Sequence, residues 1–217
     1  MIEPSRYSAL VPVKALAQAK SRLADHLTLS QRQNLVLDML HHVLSVLIES
    51  ECFARVAVVS PDERVLARAR EWGASSLREE AAGHNEALRA AAASKLLAET
   101  PALLTISADL PLLHISDIQH IIELSARHDL VLAPAREGAG TNAILVQPPL
   151  AVPYLFGPNS FQRYQEAARQ RKRKTSLHHS IGTSLDIDTI DDLDDLYELQ
   201  ALSGEHMESW QRLACCQ

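Results

Sequence analysis

The sequence predicts an α/β domain with a mostly parallel central sheet that helices cover on both faces. Short apolar runs that end in turn residues alternate with longer amphipathic stretches, which is the pattern of strands joined by helices. The 217 residues suit one large domain and contain no internal repeat or low-complexity linker. We therefore expect a single domain over residues 1–202 and a C-terminal tail over residues 203–217.

The central strand is predicted within Leu103–Pro111, which reads Leu-Leu-Thr-Ile-Ser-Ala-Asp-Leu-Pro. Its apolar start is typical of a buried strand. Because proline cannot continue a central strand, the chain must turn at Pro111. This turn places Asp109 at the carboxyl end of the strand, the edge at which open α/β sheets bind their ligands.

A second strand is predicted over Ser184–Asp188, with Asp186 and Asp188 near its end. Carboxylate oxygens at two strand ends suit a divalent cation that holds phosphates. The same acids would also be explained by capping of the helices that follow them, and spacing alone does not decide between these interpretations.

Apolar runs bounded by turn residues predict the other strands. They cover Tyr7–Val13, Val56–Val59, Ser75–Leu77, Leu130–Pro134 and Ala143–Val146. Amphipathic spacing predicts the helices. They cover Thr28–Ser50, Glu63–Trp72, Leu88–Leu97, Asp117–Arg127, a segment from Ser160 to about Arg171, and Asp191–Leu202. Ser30 and Gln33 fit a capping box for the first helix, and Gly73 fits the end of the second.

Composition and charge exclude several classes of protein. The formal net charge of -6 argues against a nucleic-acid partner, which usually requires a basic surface. Cys52, Cys215 and Cys216 form neither a disulfide framework nor a zinc-ligand spacing, which favours a reducing cytoplasm. Met1–Tyr7 lacks the apolar core of a signal peptide, and Leu35–Ile48 is too short and too polar to span a bilayer. We therefore expect no membrane partner, whereas a homo-oligomer is compatible with the sequence.

Cations follow the first predicted strand at Lys14, Lys20 and Arg22. They could neutralise a triphosphate. On this segment alone, a solvated loop followed by a short helix is the favoured interpretation, because a glycine-rich phosphate loop is missing here. Arg169–Lys174 carries five cations in six positions and is interpreted as a solvated helix end, with attraction of an anionic substrate as the alternative.

Two further segments could bind a ligand. The turn at Gly157 opens the helix that starts near Ser160, and unpaired amides at a helix start bind anions, although an ordinary helix cap would look the same. Asn85 could cap a helix or contact the edge of a base, because its amide both donates and accepts hydrogen bonds.

Several segments together resemble the guanylyltransferases that activate phosphoenolpyruvate or 2-phospho-L-lactate in the biosynthesis of the deazaflavin coenzyme F-420. The matching segments are Pro12–Lys14, Ala19–Leu23, Gly83–Asn85, Ser107–Pro111, Gly138–Asn142, Phe156–Phe161 and Leu185–Asp188. They follow the order of the family and cover most of the chain. The Gly-Thr-Asn and Phe-Gly-x-x-Ser-Phe motifs are the more specific ones.

The resemblance implies a Rossmann-like three-layer nucleotidyltransferase fold, GTP as the donor and Mg²⁺ as the cofactor. The implied metal ligands are Asp109, Asp188 and Asp186, and the implied catalytic residues are Asp109, Asp188 and Lys20. The acceptor, a small phosphorylated carboxylic acid, would be held by Thr141, Asn142, Gly157 and Ser160. The nucleotide would be bound by Lys14, Lys20, Arg22 and Asn85.

Phosphoenolpyruvate is the expected acceptor, with 2-phospho-L-lactate and 3-phosphoglycerate as alternatives. Its ionised phosphate could attack the α-phosphorus of GTP without a general base, which agrees with the lack of an evident Ser-His-Asp arrangement. Other hypotheses are a transferase of the same fold acting on a sugar phosphate or on molybdopterin, a metal-dependent glycosyltransferase, and a non-catalytic nucleotide-binding module.

Overall fold

A computed structural model of the chain describes residues 7–80 and 83–203. Its strands are β1 (Tyr7–Pro12), β2 (Arg55–Ser60), β3 (Ser75–Arg78), β4 (Ala102–Ile106), β5 (Leu130–Pro134), β6 (Thr141–Val146) and β7 (Thr175–Leu177). Its helices are α1 (Leu29–Glu49), α2 (Glu63–Glu71), α3 (His84–Ala92), α4 (Ile115–Ser125), α5 (Ser160–Gln170), α6 (Ile181–Ser184) and α7 (Ile190–Ser203). Short 3-10 turns lie at Leu16–Gln18 and Ser21–Leu23.

The strands form one sheet in the order β3-β2-β1-β4-β6-β5-β7. Strand β6 runs antiparallel to both of its neighbours, whereas the other paired strands are parallel. The amino end of β6 therefore lies at the same edge of the sheet as the carboxyl ends of the parallel strands. This edge carries the candidate site.

Helices cover both faces of the sheet, because successive side chains of a strand point to opposite faces. In β1, Ala9 and Val11 pack in a core with apolar residues of α1, α2 and α4. Leu10 packs on the other face against Leu88 of α3. Tyr164 of α5 extends this second layer over β5 and β6. The predicted three-layer α/β fold with a mostly parallel sheet is confirmed.

The segment predicted as a strand over Ser184–Asp188 is not a strand. Helix α6 ends at Ser184, and residues 185–188 continue outside the sheet. Leu185 and Ile187 are buried in a core with residues of α1 and α7, and this apolar alternation gives the segment a strand-like sequence. The amide of Ile187 donates to the carbonyl oxygen of Asp109 at 3.3 Å.

Two helix starts also differ from prediction. Helix α1 is capped by Thr28, in a capping box with Gln31, and not by Ser30 and Gln33, because the same three-residue spacing occurs two positions earlier. Helix α3 begins at His84 and not at Leu88. It starts directly after Gly83, whose φ of +100° is readily adopted only by glycine.

Strand β7 was not predicted, because its three residues are too few to show an alternating pattern. Residues 204–217, which include almost all of the predicted tail, lie outside the described residues. The helices within residues 7–80 and 83–203 include none that is long and apolar enough to cross a membrane.

Candidate active site

A cleft of about 640 Å³ opens at the edge of the sheet where β1 and β4 end and β6 begins. The structure brings ten of the predicted site residues to its walls. They are Lys14, Lys20, Arg22, Asp109, Thr141, Asn142, Gly157, Ser160, Asp186 and Asp188. Residues far apart along the chain therefore share one cavity.

Asp109, Asp186 and Asp188, here called the acidic triad, lie at one end of the cleft. One carboxylate oxygen from each lies within 4.8 Å of the others. Asp109 comes three residues after the end of β4. The other two acids alternate with buried Leu185 and Ile187, so both point away from that core and toward the cleft.

Lys20 lies between two members of the acidic triad. Its Nζ is 2.5 Å from Oδ2 of Asp109 and 2.9 Å from Oδ1 of Asp188. Burial by itself would lower the pKa of Lys20, but the two carboxylates outweigh this effect and raise it to about 12. Arg22 adds a weaker contact, with Nη1 3.6 Å from Oδ2 of Asp188.

Asp186 is the member of the acidic triad with the poorest charge compensation. Burial, followed by the negative charge of Asp109, raises its pKa to about 6. The amide of Asn142 donates to Oδ1 of Asp186 at 2.9 Å, which opposes this shift only in part. By contrast, the charge of Lys20 overcomes burial at Asp188 and lowers its pKa.

Three hard carboxylate ligands with excess negative charge fit a divalent cation such as Mg²⁺. Asp186 is held near the other two acids although its pKa shows that its charge is disfavoured there. An added cation would remove this penalty. The residues present therefore fit the metal that the sequence implies.

Thr141, Gly157 and Ser160, here called the hydroxyl pocket, lie in another part of the cleft. The Ser160 hydroxyl at the start of α5 donates to Oγ1 of Thr141 at the start of β6, at 3.2 Å. Both side chains are buried. Gly157 has a φ of +117°, which a side chain would strain.

The first two amides of α5 are already bonded within the protein. Ser160 donates its amide to the carbonyl oxygen of Gly157 at 3.0 Å, and Phe161 donates to that of Ala139 at 3.1 Å. The expectation of unpaired amides at this helix start is therefore wrong for these two residues. The pocket offers side-chain hydroxyl groups in their place.

Asn85 lies beside the cleft and is not among the residues of its walls. Its amide pairs with the main chain of Phe156: Nδ2 donates to the carbonyl oxygen at 3.0 Å, and Oδ1 accepts from the amide at 2.9 Å. It does not cap α3, whose N-cap is Gly83. Asn85 thus fixes the segment that leads into Gly157.

His84 is a cleft residue that was not predicted to be part of the site. It packs edge-on against Phe156, with ring centroids 5.7 Å apart. Burial, with a smaller effect of the Lys14 charge, lowers its pKa, so the imidazole is neutral at neutral pH. The sequence feature that could have identified His84 is its position within Gly83–Asn85, one of the segments that resemble the family.

The fold places the acidic triad at the sheet edge where open α/β sheets bind their ligands, and solved structures share this fold. A crystal structure from Desulfovibrio desulfuricans G20, described as a nucleotide-diphospho-sugar transferase, matches with a TM-score of 0.80. The match covers 97% of this chain and 94% of that chain at 17% sequence identity, which shows a shared fold alone.

The sequence comparisons identify the family. The family model described as "Guanylyl transferase CofC like" matches residues 7–212, and the chain belongs to this family. The chain is similar to a phosphoenolpyruvate guanylyltransferase from Sphaerobacter thermophilus, with 39% identity over 87% of this chain and 91% of the relative. A 2-phospho-L-lactate guanylyltransferase from Methanocaldococcus jannaschii is 30% identical over 88% and 83%. The predicted class, a nucleotidyltransferase, is confirmed.

Proposed function

We propose that the protein transfers GMP from GTP to phosphoenolpyruvate and releases pyrophosphate. The observation that carries this proposal is a single cleft with the acidic triad and Lys20 at one end and the hydroxyl pocket in another part. Relatives named as phosphoenolpyruvate guanylyltransferases support the choice of donor and acceptor. The family resemblance supports a role in the biosynthesis of coenzyme F-420, and the cysteine usage of the sequence supports a reducing cytoplasm as its location.

The acidic triad would hold Mg²⁺, which when bound neutralises phosphate charge and orients the phosphates. Lys14, Lys20 and Arg22 place further positive charge around the position proposed for the triphosphate. These cations reduce the repulsion between two polyanions, which is the main obstacle to the reaction.

The chemical step needs no base from the protein. A phosphate oxygen of the acceptor, already ionised near neutral pH, forms a bond to the α-phosphorus of GTP. The bond between that phosphorus and the oxygen bridging to the β-phosphate breaks, and pyrophosphate carries away the electron pair. The protein contributes alignment and charge, which is how phosphoryl-transfer enzymes achieve most of their rate.

The hydroxyl pocket and Asn142 are proposed to hold the acceptor. Ser160 and Thr141 offer hydroxyl groups to its phosphate or carboxylate, and Gly157 lets the main chain approach closely. Asn142 also donates to Asp186, so it connects the acceptor side to the acidic triad. Asn85 is proposed to act on the nucleotide side from its position beside the cleft.

The acceptor is the finer part of the proposal, because the chain is also similar to a relative named as a 2-phospho-L-lactate guanylyltransferase. Pyrophosphate release should be measured with GTP and ATP, each combined with phosphoenolpyruvate, 2-phospho-L-lactate and 3-phosphoglycerate. We expect the fastest release with GTP and phosphoenolpyruvate, and a guanylylated adduct in the mass spectrum.

The same assay can overturn the proposal. Faster turnover of another acceptor would correct the substrate, and nucleoside diphosphate release from a nucleotide sugar would favour a glycosyltransferase. GTP binding without pyrophosphate release on any of the three acceptors would favour a non-catalytic module. The Asp109→Asn variant serves as the control for contaminating activity.

A further inference from the structure

Lys20 contacts two of the three acids that would bind a cation, Asp109 and Asp188. Its side chain is only 8% exposed, and its ammonium group contacts Oδ2 of Asp109 and Oδ1 of Asp188. Exposed surface lysines rarely hold one geometry, because their side chains lose conformational entropy when fixed. Here two carboxylates from different parts of the chain hold the ammonium group in place.

The backbone also keeps Lys20 in this position. Lys20 has a φ of +41° and a ψ of +54°, a left-handed conformation that is uncommon for a residue with a side chain. It precedes the 3-10 turn at Ser21–Leu23, where Leu23 is fully buried. The main chain is therefore anchored, whereas the four-carbon side chain can change rotamer.

Lys20 and a bound metal ion would compete for the same carboxylates. Magnesium binds oxygen at about 2.0–2.1 Å, and it would bring two positive charges next to an ammonium group that is already in contact with those acids. A neighbouring cation of that charge would weaken the attraction that holds Lys20 there. The cleft walls beyond the triad include Lys14 and Arg22, so a displaced ammonium group would stay within the same cleft.

We propose that Lys20 is a displaceable counter-ion, which holds the acidic triad together in the metal-free enzyme and is released toward the nucleotide phosphates when a divalent cation binds. This inference rests on the proposed function, since it assumes that the triad binds the metal. Metal binding would then prepare the cleft for GTP in two ways, by adding its own charge and by freeing that of Lys20.

The first experiment uses the unmodified protein. Lysine acylation by an amine-reactive acetyl ester would be followed by mass spectrometry at pH 8 while Mg²⁺ is added without nucleotide. We expect the modification rate of Lys20 to rise at least about fivefold, because a released ammonium group is exposed to the reagent and is no longer paired with the two carboxylates. Exposed Lys14 in the same cleft is the internal control, and its rate should change less than about twofold.

The second experiment measures metal affinity in the absence of nucleotide. Mn²⁺ would be titrated by electron paramagnetic resonance into the wild type, Lys20→Met and Lys14→Met. The Lys20→Met side chain keeps much of the bulk and removes the competing charge, so we expect a dissociation constant about tenfold lower. Lys14→Met also removes one positive charge from the cleft. Lys14 acts on Asp188 less than Lys20 and Arg22 do, and among the described residues the ion pairs of the triad are with Lys20 and Arg22, so the effect of this variant should stay within about twofold.

Two results would overturn the displacement of Lys20, and variants of the triad show whether the metal site fails as well. Unchanged Lys20 labelling at saturating metal, or Mn²⁺ affinity in Lys20→Met that equals the wild type, would overturn the displacement. If Asp186→Asn loses Mn²⁺ affinity while either result holds, the metal site stands and only the displacement is wrong. If Asp186→Asn and Asp109→Asn both bind Mn²⁺ as the wild type does, the metal lies elsewhere and both proposals lose their basis. Labelling decides the question if Lys20→Met does not fold.

Discussion

The two ends of the cleft differ in how their polar groups are compensated. In the acidic triad, the buried ammonium group of Lys20 contacts Asp109 and Asp188, the Arg22 guanidinium group makes a longer contact with Asp188, and Asp186 is left with a pKa of about 6. In the hydroxyl pocket, neutral Ser160 and Thr141 satisfy each other while buried. The charged end thus depends on which cation is present, whereas the neutral end is already formed. Under the proposed function, metal and nucleotide would reorganise the first end, and the acceptor would meet a preformed second end.

The largest effect is expected from removing charge at the acidic triad. Asp109→Asn or Asp188→Asn should lower turnover by about 10³-fold, roughly 4 kcal/mol of barrier, because each would remove a metal ligand and a partner of Lys20. Steady-state pyrophosphate release measures the rate, and circular dichroism checks that the variants fold. Near-normal rates in both variants would remove the metal assignment and, with it, the contrast between the two ends.

A smaller and more selective effect is expected in the hydroxyl pocket. Ser160→Ala should raise the KM of the acceptor by about tenfold to a hundredfold, since a hydrogen bond to a charged group contributes about 1.5–3 kcal/mol. The KM of GTP should stay within about threefold. Thr141→Ser keeps a hydroxyl group at position 141, so its KM for the acceptor should remain close to that of the wild type. Equal losses for GTP and for the acceptor would show that the two ends do not act separately.

The poor charge compensation of Asp186 can also be tested through protein stability, without measuring catalysis. The folded-state pKa of Asp186, about 6, is above its ordinary value of 3.8. Protonated Asp186 therefore contributes to the free energy of unfolding below about pH 4, and this contribution is lost as the pH rises through 6. Asn at this position cannot ionise. In EDTA, Asp186→Asn should therefore be more stable than the wild type by about 2 kcal/mol at pH 7.5, and the gain should shrink toward pH 4.

Urea denaturation at each pH measures this difference, and Asp117→Asn provides the opposite case. Burial favours the protonated form of Asp117 too, but hydrogen bonds from His178, Ser180 and the His114 amide outweigh it and lower the pKa. That variant should lose stability at pH 7.5. If Asp186→Asn is also less stable than the wild type there, the carboxylate of Asp186 is well compensated and the account of the triad is wrong.

The sequence predicted the fold because most of its strands are buried apolar runs with clear ends, such as Leu130–Pro134. It could not predict the direction of β6, since an apolar strand looks the same in either direction. This direction is what brings Thr141 and Asn142 to the edge that carries Asp109. In the sequence, only the family resemblance assigns these residues to one site.

Ten of the predicted site residues lie in the walls of the cleft, but their contacts with one another were not predicted. Acids after apolar runs pointed to Asp109 and Asp188, although the second run packs as an extended segment outside the sheet. Long-range pairs such as Lys20 with Asp188 leave no local pattern, because the two residues are 168 positions apart. The same holds for Asn85, whose partner Phe156 lies 71 positions away.

The double hydrogen bond between Asn85 and Phe156 has a consequence for protein engineering. It ties helix α3 to the segment that carries Gly157, so this segment does not take its shape from its own residues alone. A chimera that imports only residues 156–161 from a relative with a different acceptor would receive this segment without the matching residue at position 85 that anchors it. The transferable module is discontinuous, and it includes position 85.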